Sequence, residues 1–232
     1  MNWRRLWAAS GALAVVLFGC GLVFGDLAGS SNFPPLNASY LRVSSYFLHN
    51  GSEVRTLAFF HVLSALALVC FAAYLQDWLR RVRRPPESAA PLALAGGAIA
   101  AAFLLFSGLV YRVLAEPVVV RDRAATHALV VVSYLAGGPA IALPLALPIA
   151  AGAHVALRST LLPRWTGWLG ASAVLASLIS ASTLLGPMNN SSAFYGVLLL
   201  AAILGLLWTF VTSLILTGQA RERLPPKPAE QR

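Results

Sequence analysis

Between Thr126 and Leu157 the chain runs without a single Asp, Glu, Lys or Arg: THALVVVSYLAGGPAIALPLALPIAAGAHVAL. As one continuous helix it would reach about 48 Å, against a bilayer hydrocarbon core of about 30 Å. A run this long and this free of charge points to a membrane span. Its sequence also forbids a straight one. Gly137, Gly138 and Pro139 interrupt the middle, and Pro144 and Pro148 follow. Each proline removes a backbone donor and crowds the preceding turn, so a break or kink is expected at Gly137-Gly138-Pro139. Within a bilayer, such a break is tolerated only where it is buried in protein or lines a cavity.

Five further apolar runs accompany it, at about 6–25, 54–78, 91–115, 166–185 and 194–216. Only 11% of the 232 residues are charged and 58% are hydrophobic, whereas soluble domains carry about 25% charged residues. The segments between the runs are too short for a second folded unit. The expected fold is all-α: a polytopic helix bundle of six transmembrane helices over 1–217. The polar, proline-rich stretch 218–232 is expected to be a disordered cytoplasmic tail.

The net charge of +9 would suggest nucleic acid in a soluble chain, but its placement argues otherwise. Twelve of the 17 Lys and Arg fall on the side of the two termini, among them Arg4, Arg5, Arg80, Arg81, Arg83, Arg84, Arg158 and Arg164. Arg42, Arg55, Arg112, Arg121 and Arg123 fall on the other side, and the acids divide evenly. By the positive-inside rule both termini are cytoplasmic, and no nucleic-acid partner is expected. The six Trp (Trp3, Trp7, Trp78, Trp165, Trp168 and Trp208) map towards the cytoplasmic side, where interfacial anchoring is the expected role. Arginine outnumbers lysine 16 to 1, which with abundant Ala and Leu suggests a high-GC bacterial genome and a bacterial inner (plasma) membrane. Cys20 and Cys70 fall on different spans and towards opposite faces, so no disulfide is expected. Leu17-Phe18-Gly19-Cys20 resembles a lipoprotein cleavage site, but Phe18 is bulky for it and the apolar run continues through Phe24. The first span is therefore expected to be retained.

The connection 26–53 is the longest. Tyr40, Val43 and Phe47 fall at helical spacing while Arg42, Ser45 and His49 share another face. Asn37 can cap the start of this short amphipathic helix, Asn50-Gly51 can end it, and Ser52 can cap the next span. The helix is expected to lie in the outer interface or to fold over the bundle as a lid. Small residues mark helix contacts: Gly21 with Gly25, the stretch ALAGGAIAAA in span three, and Gly205, Thr209 and Ser213 in span six.

Two pieces of this pattern are the most specific. One is the element from Tyr46-Phe47 to Asn50 before span two. The other is Leu162-Pro163-Arg164-Trp165 with Gly167-Trp168-Leu169-Gly170. Together with the spacing of the spans, they resemble a family of small multi-pass membrane proteins of high-GC Gram-positive bacteria that carries a domain-of-unknown-function label. The resemblance implies a six-helix bundle. It implies no activity and transfers no catalytic residue.

Ionisable residues in or near spans are the places to look for chemistry. His61, Arg112, Glu116 and His127 all map to the outer side and form the candidate polar site, with Arg112 and Glu116 four apart on one helix face. There is no HExxH pair and no Gly-x-Ser-x-Gly elbow, and no acid lies deep in a span to couple ions. No metal, cofactor or catalytic residue is therefore assigned. The expected function is a non-enzymatic scaffold, sensor or accessory subunit whose partners are membrane lipids and a membrane protein. The alternative is a small transporter or lipid-handling enzyme that uses the outer His/Arg/Glu cluster.

Overall fold

The computed structural model describes residues 3–27, 33–35, 38–82, 87–185 and 192–222, and every regular element among them is helical. In chain order these are α1 (Trp3–Leu22), α2 (Tyr40–His49), α3 (Gly51–Arg80), α4 (Ala89–Leu114), α5 (Pro117–Val120), α6 (Arg123–Gly137), α7 (Pro139–Arg158), α8 (Arg164–Ala181) and α9 (Ser192–Glu222). A π-helical turn, Val23–Leu27, extends α1. Six segments are long and apolar enough to cross a membrane: Trp3–Gly25, Gly51–Arg80, Ala89–Leu114, Arg123–Arg158, Arg164–Leu184 and Gly196–Ala220. The chain is thus a multi-pass membrane helix bundle, as its hydropathy requires.

The fourth span is two helices. Gly138, with φ −108° and ψ −106°, turns the backbone out of helical geometry, and α7 restarts on Pro139. Proline at the first helical position is favourable, because its missing N–H has no intrahelical acceptor there. Pro144 and Pro148 remain inside α7. Pro148 cannot donate to the Pro144 carbonyl, and α4 offers that oxygen Gly96: a Cβ on Gly96 would stand 2.4 Å from it. The small-residue half of α4 therefore seats Pro144–Pro148, one to two turns beyond the break. The break itself abuts the other half of α4, where Gly137 lies against the buried Ser107 hydroxyl.

Lipid tails are as apolar as Leu, so contact between spans depends on close packing and on internal hydrogen bonds. Gly11 of α1 faces the Phe71 ring of α3, and Gly25 lies against the Leu57 backbone. Gly97 of α4 lies against Ala72 of α3. Ser213 of α9 receives the Ala12 N–H of α1 (2.8 Å) and donates to the Ala8 carbonyl (2.5 Å), so the last span closes on the first. That joint also brings the start of α1 and the end of α9 to one end of the bundle.

Two of the six Trp depart from the expected anchoring role. Trp3, Trp7, Trp165 and Trp168 are exposed, whereas Trp208 is 1% exposed and Trp78 9%. The Trp208 indole fills a slot between α7 and α8. Cβ atoms on Gly152 and Gly170 would lie 2.5 and 2.7 Å from it, and its Nε1 donates to the Thr166 carbonyl (3.2 Å). The glycine of the Trp-Leu-Gly element is thus half of a seat for an indole from another span.

At the other end, α2 folds over the bundle. Val43, Tyr46 and Phe47 are buried against Val54, Val110, Leu114, Val120 and Val130. Ser39 caps α2 by accepting the Arg42 N–H (3.4 Å); the expected cap, Asn37, lies outside the described residues. Asn50 forms the corner: it is 1% exposed, and its backbone and side-chain N–H groups both reach the Tyr46 carbonyl (2.9 Å each). Ser52 lies inside α3 and bonds Glu53 instead of capping the helix. Cys20 and Cys70 are both free. Helix α9 continues through Glu222, past the expected end of the span at residue 216, while 223–232 lie outside the described residues.

Candidate functional site

The four predicted polar residues stand in three different surroundings. Arg112 and Glu116 meet as an ion pair at the end of α4, with side chains 50% and 42% exposed. The Arg112 hydrogen bond and charge, with a contribution from Arg55, hold the Glu116 carboxyl below the ordinary carboxylate range. An exposed i,i+4 pair of this kind is a modest surface interaction.

His61 is 4% exposed and faces none of these groups. Its Nδ1 is 2.9 Å from the Leu57 carbonyl of its own helix, which assigns that nitrogen the proton. The ring stands edge-on to Phe18 (5.1 Å between centroids) and tilted against Tyr111 (5.7 Å), while Gly108 of α4 packs on its Cβ. His127 is exposed on α6 and lines a separate surface cleft with Arg123, Tyr40 and Ser39. The Asp122 carboxylate has already taken the first free N–H groups of α6, those of Ala124 and Ala125 (2.9 and 3.0 Å). No hydrogen bond or ion pair among the described residues joins His61 or His127 to Arg112 or Glu116. No three potential metal ligands of the His, Cys, Asp or Glu type cluster among the described residues.

His61 belongs instead to a chain of rings. Phe18 contacts His61, and His61 contacts Tyr111. Phe33 touches Tyr111 (6.0 Å), Tyr46 (5.3 Å), Phe47 (5.9 Å) and Tyr134 (5.7 Å). Edge-to-face pairs at these separations contribute about 0.5–1.5 kcal/mol each beyond area burial. Tyr134 also donates its hydroxyl to the Pro34 carbonyl (3.0 Å), which ties α6 to the segment leading into α2.

The two ends of that chain of rings, Phe18 and Tyr134, line the same cavity. It has a volume of about 510 Å³ and is bounded by α1, α3, α4, the broken fourth span, α8 and α9. Gly137 and Gly138 form part of its wall, beside Ile141, Ala142 and Leu145. No Asp, Glu, Lys, Arg or His lines it. Four hydroxyls do, and each spends its proton on a backbone carbonyl: Ser64 on Ala14 (2.8 Å), Ser177 on Ala173 (2.9 Å), Thr209 on Gly205 (2.8 Å) and Tyr134 on Pro34. The rim is open: Leu22 is 38% exposed, Leu199 61%, and Ala202 is exposed beside them. The sequence marks the break, and so one wall of this cavity; the rest depends on where α1 and α9 part above the Ser213 joint.

Fold and cavity together define a helical multi-pass membrane protein with an apolar chamber at a broken span. Comparison of the chain with protein-family models, with curated proteins and with solved structures returns no match.

Proposed function

We propose that this chain is a non-enzymatic integral protein of a bacterial plasma membrane, a sensor, scaffold or accessory subunit with both termini in the cytoplasm. It would stand beside the small six-span proteins that its Leu-Pro-Arg-Trp and Gly-Trp-Leu-Gly elements resemble. The observation that carries this reading is the dispersal of the titratable side chains. Arg112 and Glu116 satisfy one another at the surface, His61 is sealed between rings, and His127 stands in a different cleft. Acid–base or metal chemistry requires such groups to converge within reach of one reacting atom. The outward face of α2 offers a partner a surface instead: Leu41 is 76% exposed and Leu48 48%, with Arg42 and His49 beside them.

Complementation of a deletion strain, profiled for lipids and exported metabolites, tests the reading. His61→Phe and Glu116→Gln with His127→Asn should complement, whereas Leu41→Arg with Leu48→Arg should not. The reverse pattern would assign the polar residues a catalytic role. The cavity favours a second reading, lipid handling, on the ground that its wall is apolar and open at the rim.

A further inference from the structure

We propose that the cavity at the broken fourth span binds one acyl chain of a phospholipid drawn from the surrounding bilayer. The proposal deepens the reading of the chain as a membrane sensor or accessory subunit, resting on it for the membrane setting, and names the ligand class.

The wall chemistry selects an alkyl chain. A water molecule needs two to four polar partners to occupy a buried site, and an ion needs a ring of oxygens or a counter-charge. This wall carries no charged side chain, and its four hydroxyl protons are committed to carbonyls within the protein. A polar ligand would surrender its hydration and receive no hydrogen-bond donor from these side chains. An alkyl chain surrenders nothing and gains close packing against Phe18, Leu68, Leu104 and Ile141. At about 510 Å³ the chamber is within the range of about 300–1,000 Å³ typical of small-ligand sites.

Geometry selects the source. The exposed rim residues Leu22, Leu199 and Ala202 belong to α1 and α9, on segments apolar enough to lie in the bilayer. The Ser213 joint holds these helices together nearer the termini, and above it they line the cavity. A chain from an adjacent lipid can enter sideways without leaving hydrocarbon. The broken backbone supplies the rest of the wall: Gly137 and Gly138 present no side chain where the fourth span passes the chamber.

The test uses the full chain reconstituted in vesicles of phosphatidylethanolamine and phosphatidylglycerol. The probe is a phosphatidylglycerol with a diazirine midway along one acyl chain. After irradiation, label should concentrate on the segments 134–145 and 198–206. Ala142→Trp and Ala202→Trp, which fill the chamber and its rim, should reduce it to the level found on the outward face around Leu13. Leu13→Trp, on that face, should leave the pattern unchanged. If Ala142→Trp does not fold, as judged by circular dichroism and gel filtration, Ala202→Trp at the exposed rim carries the test. Label spread evenly over all lipid-facing helices, unmoved by either substitution, would overturn the proposal. So would label from a diazirine free fatty acid with none from the phospholipid. Complementation by the same variants separates the two readings. Labelling lost while complementation persists supports the site and counts against the sensor reading, whereas even labelling removes the site whatever complementation does.

Discussion

Two glycines in similar helical settings should respond to the same methyl group with opposite signs. Gly96 of α4 and Gly205 of α9 are both buried within spans. A Cβ on Gly96 would stand 2.4 Å from the Pro144 carbonyl oxygen, 2.6 Å from the Leu147 Cβ and 2.9 Å from the Pro148 Cδ. All three belong to the backbone, a first side-chain carbon or a closed ring, so no rotamer change relieves them, and α7 must move bodily. Overpacking costs about 1–3 kcal/mol, and three contacts under 3.0 Å with atoms that cannot rotate away put Gly96 in the upper part of that range, about 2–3 kcal/mol. Replacing glycine by alanine inside a helix returns about 0.8–1.0 kcal/mol. Gly96→Ala should therefore destabilise by about 1–2 kcal/mol after that offset. A Cβ on Gly205 would meet only the Leu145 Cδ2 at 3.5 Å and the Ile149 Cδ1 at 3.7 Å, which is ordinary contact. Gly205→Ala should keep the gain, up to about 1 kcal/mol. The two variants should separate by about 2–3 kcal/mol, a factor of roughly 30 to 150 in the folded-to-unfolded ratio. Unfolding by sodium dodecyl sulfate in mixed micelles, followed by circular dichroism, measures the difference. A Gly96→Ala protein as stable as Gly205→Ala would refute the claim that α7 is seated on the bare backbone of α4.

Further outcomes follow from the same contacts. His61→Phe keeps a ring between Phe18 and Tyr111 and should cost less than about 1.5 kcal/mol, whereas His61→Ala removes it and should cost about 3 kcal/mol; the same detergent titration distinguishes them. Trp208→Ala should cost about 3–5 kcal/mol, because Gly152 and Gly170 leave a slot that no neighbour fills; Trp208→Phe loses the hydrogen bond to Thr166 and leaves part of the Gly152 slot empty, so it should cost about 2 kcal/mol. The carboxyl of Glu116 is held below its ordinary value of 4.5, so the pair with Arg112 stabilises fully above that pH, and its contribution is lost as pH falls through the lower native value. Any stability difference between the parent chain and Glu116→Gln should therefore fade on acidification below 4.5, and salt should shrink it at neutral pH, because both side chains are about half exposed.

The six spans and the break at Gly137-Gly138-Pro139 could be read from the chain because they follow from local chemistry. Charge-free length marks a span, and two glycines ahead of a proline mark a break, whereas Pro144 and Pro148 stay inside α7. The pairing of Arg112 with Glu116 was equally local, four residues apart on one helix. What escaped the sequence was non-local. Trp208 resembles an interfacial anchor until Gly152 and Gly170 are seen to form its slot. His61 reads as one of four outer polar residues until Phe18 and Tyr111 are seen to close on it from two other helices. Ser177, Ser180 and Thr183 recur every three residues, but each hydroxyl turns back to a backbone carbonyl three or four residues earlier. Their periodicity says where they lie and nothing about what they bond.

The joint at Ser213 also bears on biogenesis. Its hydroxyl bridges the carbonyl of Ala8 and the N–H of Ala12, one turn of α1, across a sequence separation of 201 residues to Ala12. A chain made from its N-terminus inserts α1 well before α9. Until α9 arrives, α1 has α3 as its main partner and one face turned to lipid. Only when α9 arrives does the ring of helices shut, and the chamber gains its last wall at that moment. A nascent chain stopped short of Ser213 has both the open face and the open chamber.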